Sequence, residues 1–449
     1  MNLKKLLCMA IAMLLALSAA ALAEDDLQAQ LDAANARIAE LEAEVELYKP
    51  YYESQIVAEY GEGGIIWKEA ADEEFQAAAD AYAQYGLSID DFAADIKQDI
   101  LETLVRDAIL DEKAAELGLD ILDDDTLAEL TAEAEANYET YVDTYRDYFA
   151  DEDADDETAR EQTIAALAQY GLTAEALVDQ MVTGYVDEQL HAYVTDSVTV
   201  SDEEIRAEYD AMVADDEANY SGNDYSYNSA RNSGATISWN PEGYRTVKHV
   251  LIKFDDDQAA RYSELSSTLN SLKDEKDAVE NPDAEAEDAE TEPRSLDEIE
   301  ADIARVTAEI EELHTELLPQ AQQVIDEFEA GADFDSLIEK YGQDPGMNNE
   351  PTATNGYAVS ADSTTWDPAF TEGAMSIAEV GQISAPVYGM NGIHIIYYLA
   401  DITPGAVPFE DVAEEAESNA LSEKIDETYS SQVDAWVEEA APVYYPDRF

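Results

Sequence analysis

Hydrophobic positions recur every seven residues over residues 25–52. Leu27, Ala34, Leu41 and Tyr48 form one series, and Leu31, Ile38, Val45 and Tyr52 form the other. Alternating steps of four and three put both series on one side of a helix. That pattern suits a short coiled coil or a single amphipathic helix lying on the next domain. Pro50 falls near its end, where a helix would kink or stop. Residues 54–214 then read as mostly helical, after a short strand predicted at residues 55–60. Within them Ala83-Gln84-Tyr85-Gly86-Leu87 returns as Ala168-Gln169-Tyr170-Gly171-Leu172, each copy leading into an amphipathic helix. Two copies are too few for a solenoid and suggest two similar helical units in one domain. Ser201 with Glu204 three residues later predicts a capping box at a helix start.

Residues 215–245 are polar, rich in Tyr and Asn, and without periodicity, and they read as a linker. Beyond them the pattern changes to β. Residues 247–254 and 393–399 are strand candidates, and glycines cluster from Gly331 to Gly392, implying tight turns in an α+β module. Two helical seams interrupt that module: Tyr262, Leu265, Leu269, Leu272 and Val279, then Ile299, Ile303, Val306, Ile310, Leu313 and Leu317. Between them residues 281–294 are acidic and contain Pro282 and Pro293, which predicts a helical hairpin with a charged, mobile tip. Residues 410–440 form a last amphipathic helix, with Val412, Leu421, Ile425, Val433 and Trp436 on its apolar face.

Charge narrows the function classes. Against 104 Asp and Glu the 449 residues hold only 23 Lys and Arg, a formal charge of −81. Such a polyanion excludes nucleic acid as a partner and disfavours anionic membranes. Disorder throughout does not fit a chain that is 46% hydrophobic with 27 tyrosines. Residues 1–23 have the form of an export signal: Lys4 and Lys5, an apolar run from Leu6 to Leu17, and Ala21-Leu22-Ala23 before Glu24. The apolar run is short for a membrane span. The sole cysteine, Cys8, lies inside it, so the mature chain is expected to lack thiols, disulfides and cysteine metal sites. Acidic runs at 123–125, 151–157 and 255–257 show no EF-hand spacing and read as solvated surface.

Of four histidines, His191 and His314 fall on predicted helices and read as helix-surface residues. His249 and His394 instead lie in apolar strand sequence, in Val247-Lys248-His249-Val250-Leu251-Ile252 and Gly392-Ile393-His394-Ile395-Ile396. Those two segments open and close an ordered set of motifs: Gly331-Ala332-Asp333-Phe334, Tyr341-Gly342-Gln343-Asp344-Pro345, Trp366-Asp367-Pro368-Ala369-Phe370 and Gly381-Gln382-Ile383-Ser384-Ala385-Pro386-Val387. With these, residues 246–402 resemble a parvulin-type peptidyl-prolyl cis-trans isomerase domain. The whole chain resembles exported foldases of the PrsA/SurA type.

The resemblance implies an α+β fold. A signal peptide (1–23) and a coiled coil or long helix (24–53) precede a helical chaperone-like domain (54–214) and the linker (215–245). The isomerase domain (246–402, with a hairpin insertion at 256–318) follows, then a C-terminal helix (403–449) packing on the helical domain. It also implies that His249 and His394 are the paired histidines, that Asp344 is the third catalytic position, and that Trp366, Phe370 and Met375 form the proline pocket. No cofactor or metal is implied. The chain departs from the pattern at Gly389, where Thr or Ser is common, and at Asn355-Gly356-Tyr357-Ala358, where a longer glycine-rich segment is usual.

Two functions follow from this resemblance. One is an extracytoplasmic isomerase and foldase acting on X-Pro bonds of unfolded exported polypeptides, with Asp344 acting on the twisting amide and the histidines orienting it. The alternative is a non-catalytic holdase in which the isomerase domain is a support. The heptads make homo-oligomerisation a third element to test.

Overall fold

The computed structural model describes residues 24–89, 92–151, 154–281 and 294–449. The export signal expected at 1–23 and most of the hairpin tip expected at 281–294 lie outside the described residues. The chain divides into two units, Met1–Thr199 with Glu423–Phe449, and Val200–Ser422.

In the first unit, α1 (Glu24–Ser54) is one helix of 31 residues that runs through Pro50. A proline this close to the C-terminus removes a single hydrogen bond of the last turns. Several heptad residues, Leu31, Tyr48 and Tyr52 among them, are exposed. The strand β1 (Ile56–Tyr60) is central in a three-stranded sheet, flanked by β2 (Gly64–Trp67) and by a C-terminal strand, Val443–Tyr444. Helices α2 (Lys68–Gln84) and α3 (Ala93–Leu117) follow, and Leu101, Val105 and Ile109 of α3, spaced by four, bury one face against Val57, Ala58 and Phe449. Next come α4 (Asp124–Phe149), α5 (Asp156–Gln169) and α6 (Ala174–Thr195), whose core joins Tyr138, Val142 and Leu167. The five-residue repeat is a helix stop used twice. Gly86 and Gly171 adopt φ of 70° and 74°, and the N–H groups of Leu87 and Leu172 reach back to the carbonyls of Tyr82 and Leu167.

The second unit begins at α7 (Asp202–Tyr220), whose N-terminus carries the Ser201–Glu204 capping box. The helical domain therefore ends at Thr199, not at residue 214, and residues 215–245 are not a linker. They contain α8 (Asp224–Ser233) and β3 (Trp239–Asn240), and Tyr227 is fully buried between Tyr220 and Tyr244. This segment packs through tyrosines and side-chain hydrogen bonds, so no apolar period marks it.

The strand β4 (Arg245–Lys253) leads to α9 (Asp256–Glu280) and α10 (Leu296–Glu329), whose seam buries Leu265 and Leu272 against Ile299 and Val306. The inserted hairpin does not end at residue 318. Its second helix continues through Pro319, and Ala321 and Val324 of the same helix cover the sheet. Then follow α11 (Phe334–Tyr341), a short 3-10 turn (Pro345–Asn348), α12 (Thr352–Asn355), β5 (Tyr357–Val359), α13 (Pro368–Ser376), β6 (Val387–Gly389) and β7 (Gly392–Asp401). After β8 (Gly405–Ala406), which pairs with β3, comes α14 (Phe409–Ala440), and the strand Val443–Tyr444 is β9.

The main sheet is antiparallel, ordered β5-β4-β7-β6. Side chains alternate across it. Val250, Ile252, Ile393 and Ile395 face α10 and α11, while Val247, Ile396 and Tyr398 face α13. His249 and His394 fall on this second face by the same alternation. Among the described residues no helix is long and apolar enough to cross a membrane.

Candidate active site

The strand register decides which histidines meet. His249 pairs with Ile396 and His394 with Leu251, so the two rings are diagonal neighbours on one face of the two central strands. Both are buried, and their Nδ1 atoms lie 2.9 Å apart. His249 Nε2 donates to Asp344 Oδ2 at 2.7 Å. Asp344 sits where α11 gives way to the 3-10 turn, and its Oδ1 accepts the Gly346 N–H at 3.1 Å. The sequence placed these three residues together, and the structure joins them in one network.

Sequence reasoning missed a fourth member. Tyr357 Oη donates to Asp344 Oδ2 at 2.9 Å. Two glycines make that contact sterically possible. A Cβ at Gly346 would stand 1.8 Å from the Tyr357 hydroxyl, and one at Gly356 (φ 67°) would stand 2.5 Å from the Val247 carbonyl. Gly356 thus lets β5 close onto β4, and Gly346 leaves room for the phenol. The legible signal was the Gly-Tyr pair in the shortened glycine segment.

Burial would raise the Asp344 carboxyl, but the His249 hydrogen bond and charge, the Gly346 N–H and the Tyr357 hydroxyl outweigh it and bring it to about 2. Burial, and then the neighbouring Asp344 charge, push the Tyr357 phenol up. His394 is held down to about 3, first by burial and then by the charge of His249. At neutral pH the network therefore carries an anionic Asp344, a neutral Tyr357 and a neutral His394. His249 gives its Nε2–H to the carboxylate, and the two Nδ1 atoms share one hydrogen between the rings.

Aromatic groups close the other side. The Phe370 ring stands edge-on to both histidines, at 5.1 Å from His249 and 5.2 Å from His394. Trp366 lies 4.4 Å from the Tyr357 ring and 6.0 Å from Phe370, and its Nε1–H donates to the Ala358 carbonyl at 2.8 Å. Met375 belongs to the same apolar cluster, yet it lines a separate cleft of about 570 Å³ with Gly243, Tyr244, Arg245 and Asp401. Trp366 and Phe370 are thus brought to the network, whereas Met375 is set to one side.

The two remaining histidines differ from the helix-surface expectation. His314 is buried, and His191 is half-buried with its ring 4.6 Å from that of Tyr429. The seams that place them also carry the core, so a helical pattern alone could not separate the two settings. Among the described residues no group of three or more His, Cys, Asp or Glu is placed to hold a metal ion.

Residues 295–400 match the family described as Rotamase: PPIC-type PPIASE domain. His249, on β4, lies ahead of the matched residues, which begin at the second helix of the hairpin. The foldase protein PrsA of Clostridium perfringens is 29% identical over 131 residues, which are 29% of this chain and 38% of that relative. The chain thus matches well under half of that protein. The crystal structure of PrsA from Bacillus subtilis shares 14% identity, with 86% of this chain and 92% of that one covered, at a TM-score of 0.20. A SurA-like chaperone of Campylobacter jejuni shares 11% identity, with 87% and 98% covered, at a TM-score of 0.32. Scores this low carry no argument about how the units are arranged. The family match and the geometry around Asp344 identify the sheet module of the second unit as a PPIC-type peptidyl-prolyl cis-trans isomerase domain of the parvulin type.

Proposed function

We propose that this chain is an exported prolyl isomerase and foldase that speeds rotation about X-Pro bonds in unfolded client proteins. The observation that carries the reading is an anionic carboxylate, Asp344, fixed by three donors beside an aromatic wall. Rotation must cross a barrier of about 20 kcal/mol because it breaks amide resonance. No bond is made or broken, so binding the twisted amide more tightly than the planar forms is sufficient. Phe370 and Trp366 hold the proline ring. Resonance puts partial negative charge on the carbonyl oxygen of the planar amide, and twisting withdraws it. A fixed anion near that oxygen raises the planar form more than the twisted one. His249, itself bonded to His394, holds Asp344 in place and with the Gly346 N–H and the Tyr357 hydroxyl keeps it charged. No cofactor enters the scheme.

Clients are expected to be nascent or unfolded exported polypeptides, preferentially neutral or basic ones, given the net charge of −81. Added salt should weaken that preference. Residues 1–23 are proposed as the cleaved export signal, and the exposed heptad residues of α1 as a surface for self-association. The reading is tested by a protease-free isomerisation assay on short Xaa-Pro peptides with the chain from Glu24 onward. Acceleration over the uncatalysed rate supports it. No acceleration with several Xaa residues, together with undiminished suppression of client aggregation, would favour a holdase instead.

A further inference from the structure

A side chain of the hairpin's second helix stands on the turn beside the histidine network. His314 of α10 is buried among Phe254, Tyr262 and Tyr388, with ring centroids at 5.0, 5.8 and 5.3 Å. Its Nδ1 lies 3.0 Å from the Ile310 carbonyl, one turn back in its own helix, and its Nε2 lies 3.0 Å from the Gly389 carbonyl. A carbonyl only accepts, so the contact to Gly389 requires the hydrogen on Nε2.

Gly389 ends β6 at the turn into β7 and sits directly against the active network. A Cβ there would stand 2.7 Å from His394 Nε2 and 3.1 Å from Asp367 Oδ2. Asp367 holds the same turn through the next residue. Its Oδ2 accepts the Met390 N–H at 2.7 Å, and its Oδ1 caps α13, the helix of Phe370, through the Ala369 N–H at 2.9 Å. With no side chain at position 389, the backbone clamp between His314 and Asp367 sets where this turn stands against His394.

We propose that His314 is a positioning residue for the isomerase reaction: from the inserted helix it fixes the β6–β7 turn through the Gly389 carbonyl, and thereby the place and hydrogen-bonding of His394. The insertion is on this account part of the catalytic support, because the seam of α9 and α10 determines where His314 stands. The proposal rests on the isomerase reading for its kinetic consequence, and on geometry alone for its effect on His394.

The test compares the wild-type chain with His314→Phe, which fills the aromatic cage without a donor, and His314→Gln, which keeps a donor near the Nε2 position. Nitrogen NMR of the imidazoles and peptide isomerisation kinetics are read together. In His314→Phe the His394 resonances should shift, and kcat should fall on the order of 3- to 10-fold with KM little changed. His314→Gln should restore most of both. Should His314→Phe not fold, His314→Met supplies the same apolar, donor-free reading. Unchanged His394 resonances in a folded donor-free variant would overturn the proposal. If the wild type proves inactive, the isomerase reading falls, while the resonances still decide whether His314 positions His394.

Discussion

The Nδ1 atoms of His249 and His394 face each other at 2.9 Å, so only one of them carries a hydrogen between the two rings. That single fact orders the site. His249 is already committed to Asp344 through Nε2, so its Nδ1 is the atom left to meet His394. The pair then acts as a relay of orientation, from the sheet through His394 and His249 to the carboxylate.

Tyr357 is the most direct check on that carboxylate's support. Tyr357→Phe removes one of three donors to Asp344 and should lower kcat/KM roughly 3- to 10-fold, at a stability cost of about 1 kcal/mol. Gly346→Ala should cost at least as much, because its Cβ would collide with the same hydroxyl. Steady-state peptide kinetics and urea denaturation measure both effects. A fully active Gly346→Ala chain would contradict the placement of Tyr357.

Acid should weaken the second unit through His394 and Asp344 in the same direction. The folded His394 stays neutral to about pH 3, whereas the unfolded residue protonates near 6.5, so the unfolded state binds more protons between those values. Stability from this group therefore falls as pH drops from about 6.5 to 3. Asp344 has a depressed carboxyl; its contribution is present above about pH 4 and is lost as pH falls through about 2. Denaturation across pH 7 to 4 should show His394→Gln losing less stability on acidification than the wild type. The difference should approach ~1 kcal/mol per pH unit below 6. Parallel curves would contradict a neutral, buried His394.

Asp224, in the stretch that reads as a linker, should prove important for the aromatic wall. Its carboxylate accepts from the Tyr244 and Ser363 hydroxyls and from the N–H groups of Thr364 and Thr365, immediately before Trp366. Asp224→Ala leaves these donors without their acceptor and should cost about 2–4 kcal/mol. It should also raise KM for Xaa-Pro peptides more than it lowers kcat, since Trp366 is displaced and Asp344 is not. Thermal unfolding and a KM-versus-kcat comparison check this.

How much of this was legible in the sequence follows from which interactions leave a period. The hairpin seams leave one, because apolar burial repeats along a helix every 3.6 residues, while the two central strands, buried on both faces, show as continuous apolar runs and the Ser201 capping box as a local motif. The pairing of His249, His394 and Asp344 was readable only through motif order, since 145 residues separate the two histidines. Residues 215–245 leave no period, because Tyr227 is buried by aromatic contacts and the half-buried Asp224 is held by hydrogen bonds. His314 reads from the sequence as a helix-surface residue for a related reason. Its face of α10 meets both the hairpin seam and the β6–β7 turn, and only the fold shows the turn arriving there. Tyr357 depended on two glycines whose role is steric and shows in no hydropathy pattern.

The central claim is that the charge of Asp344 drives rotation. The most direct measurement is kcat/KM for an Xaa-Pro peptide, in a protease-free assay at neutral pH, for the wild-type chain and for Asp344→Asn. Asparagine keeps the shape of the group and removes the charge. The account predicts a loss on the order of 10²-fold in kcat/KM, carried by kcat, with the fold intact by circular dichroism. An Asp344→Asn chain that isomerises the peptide as fast as the wild type would contradict it.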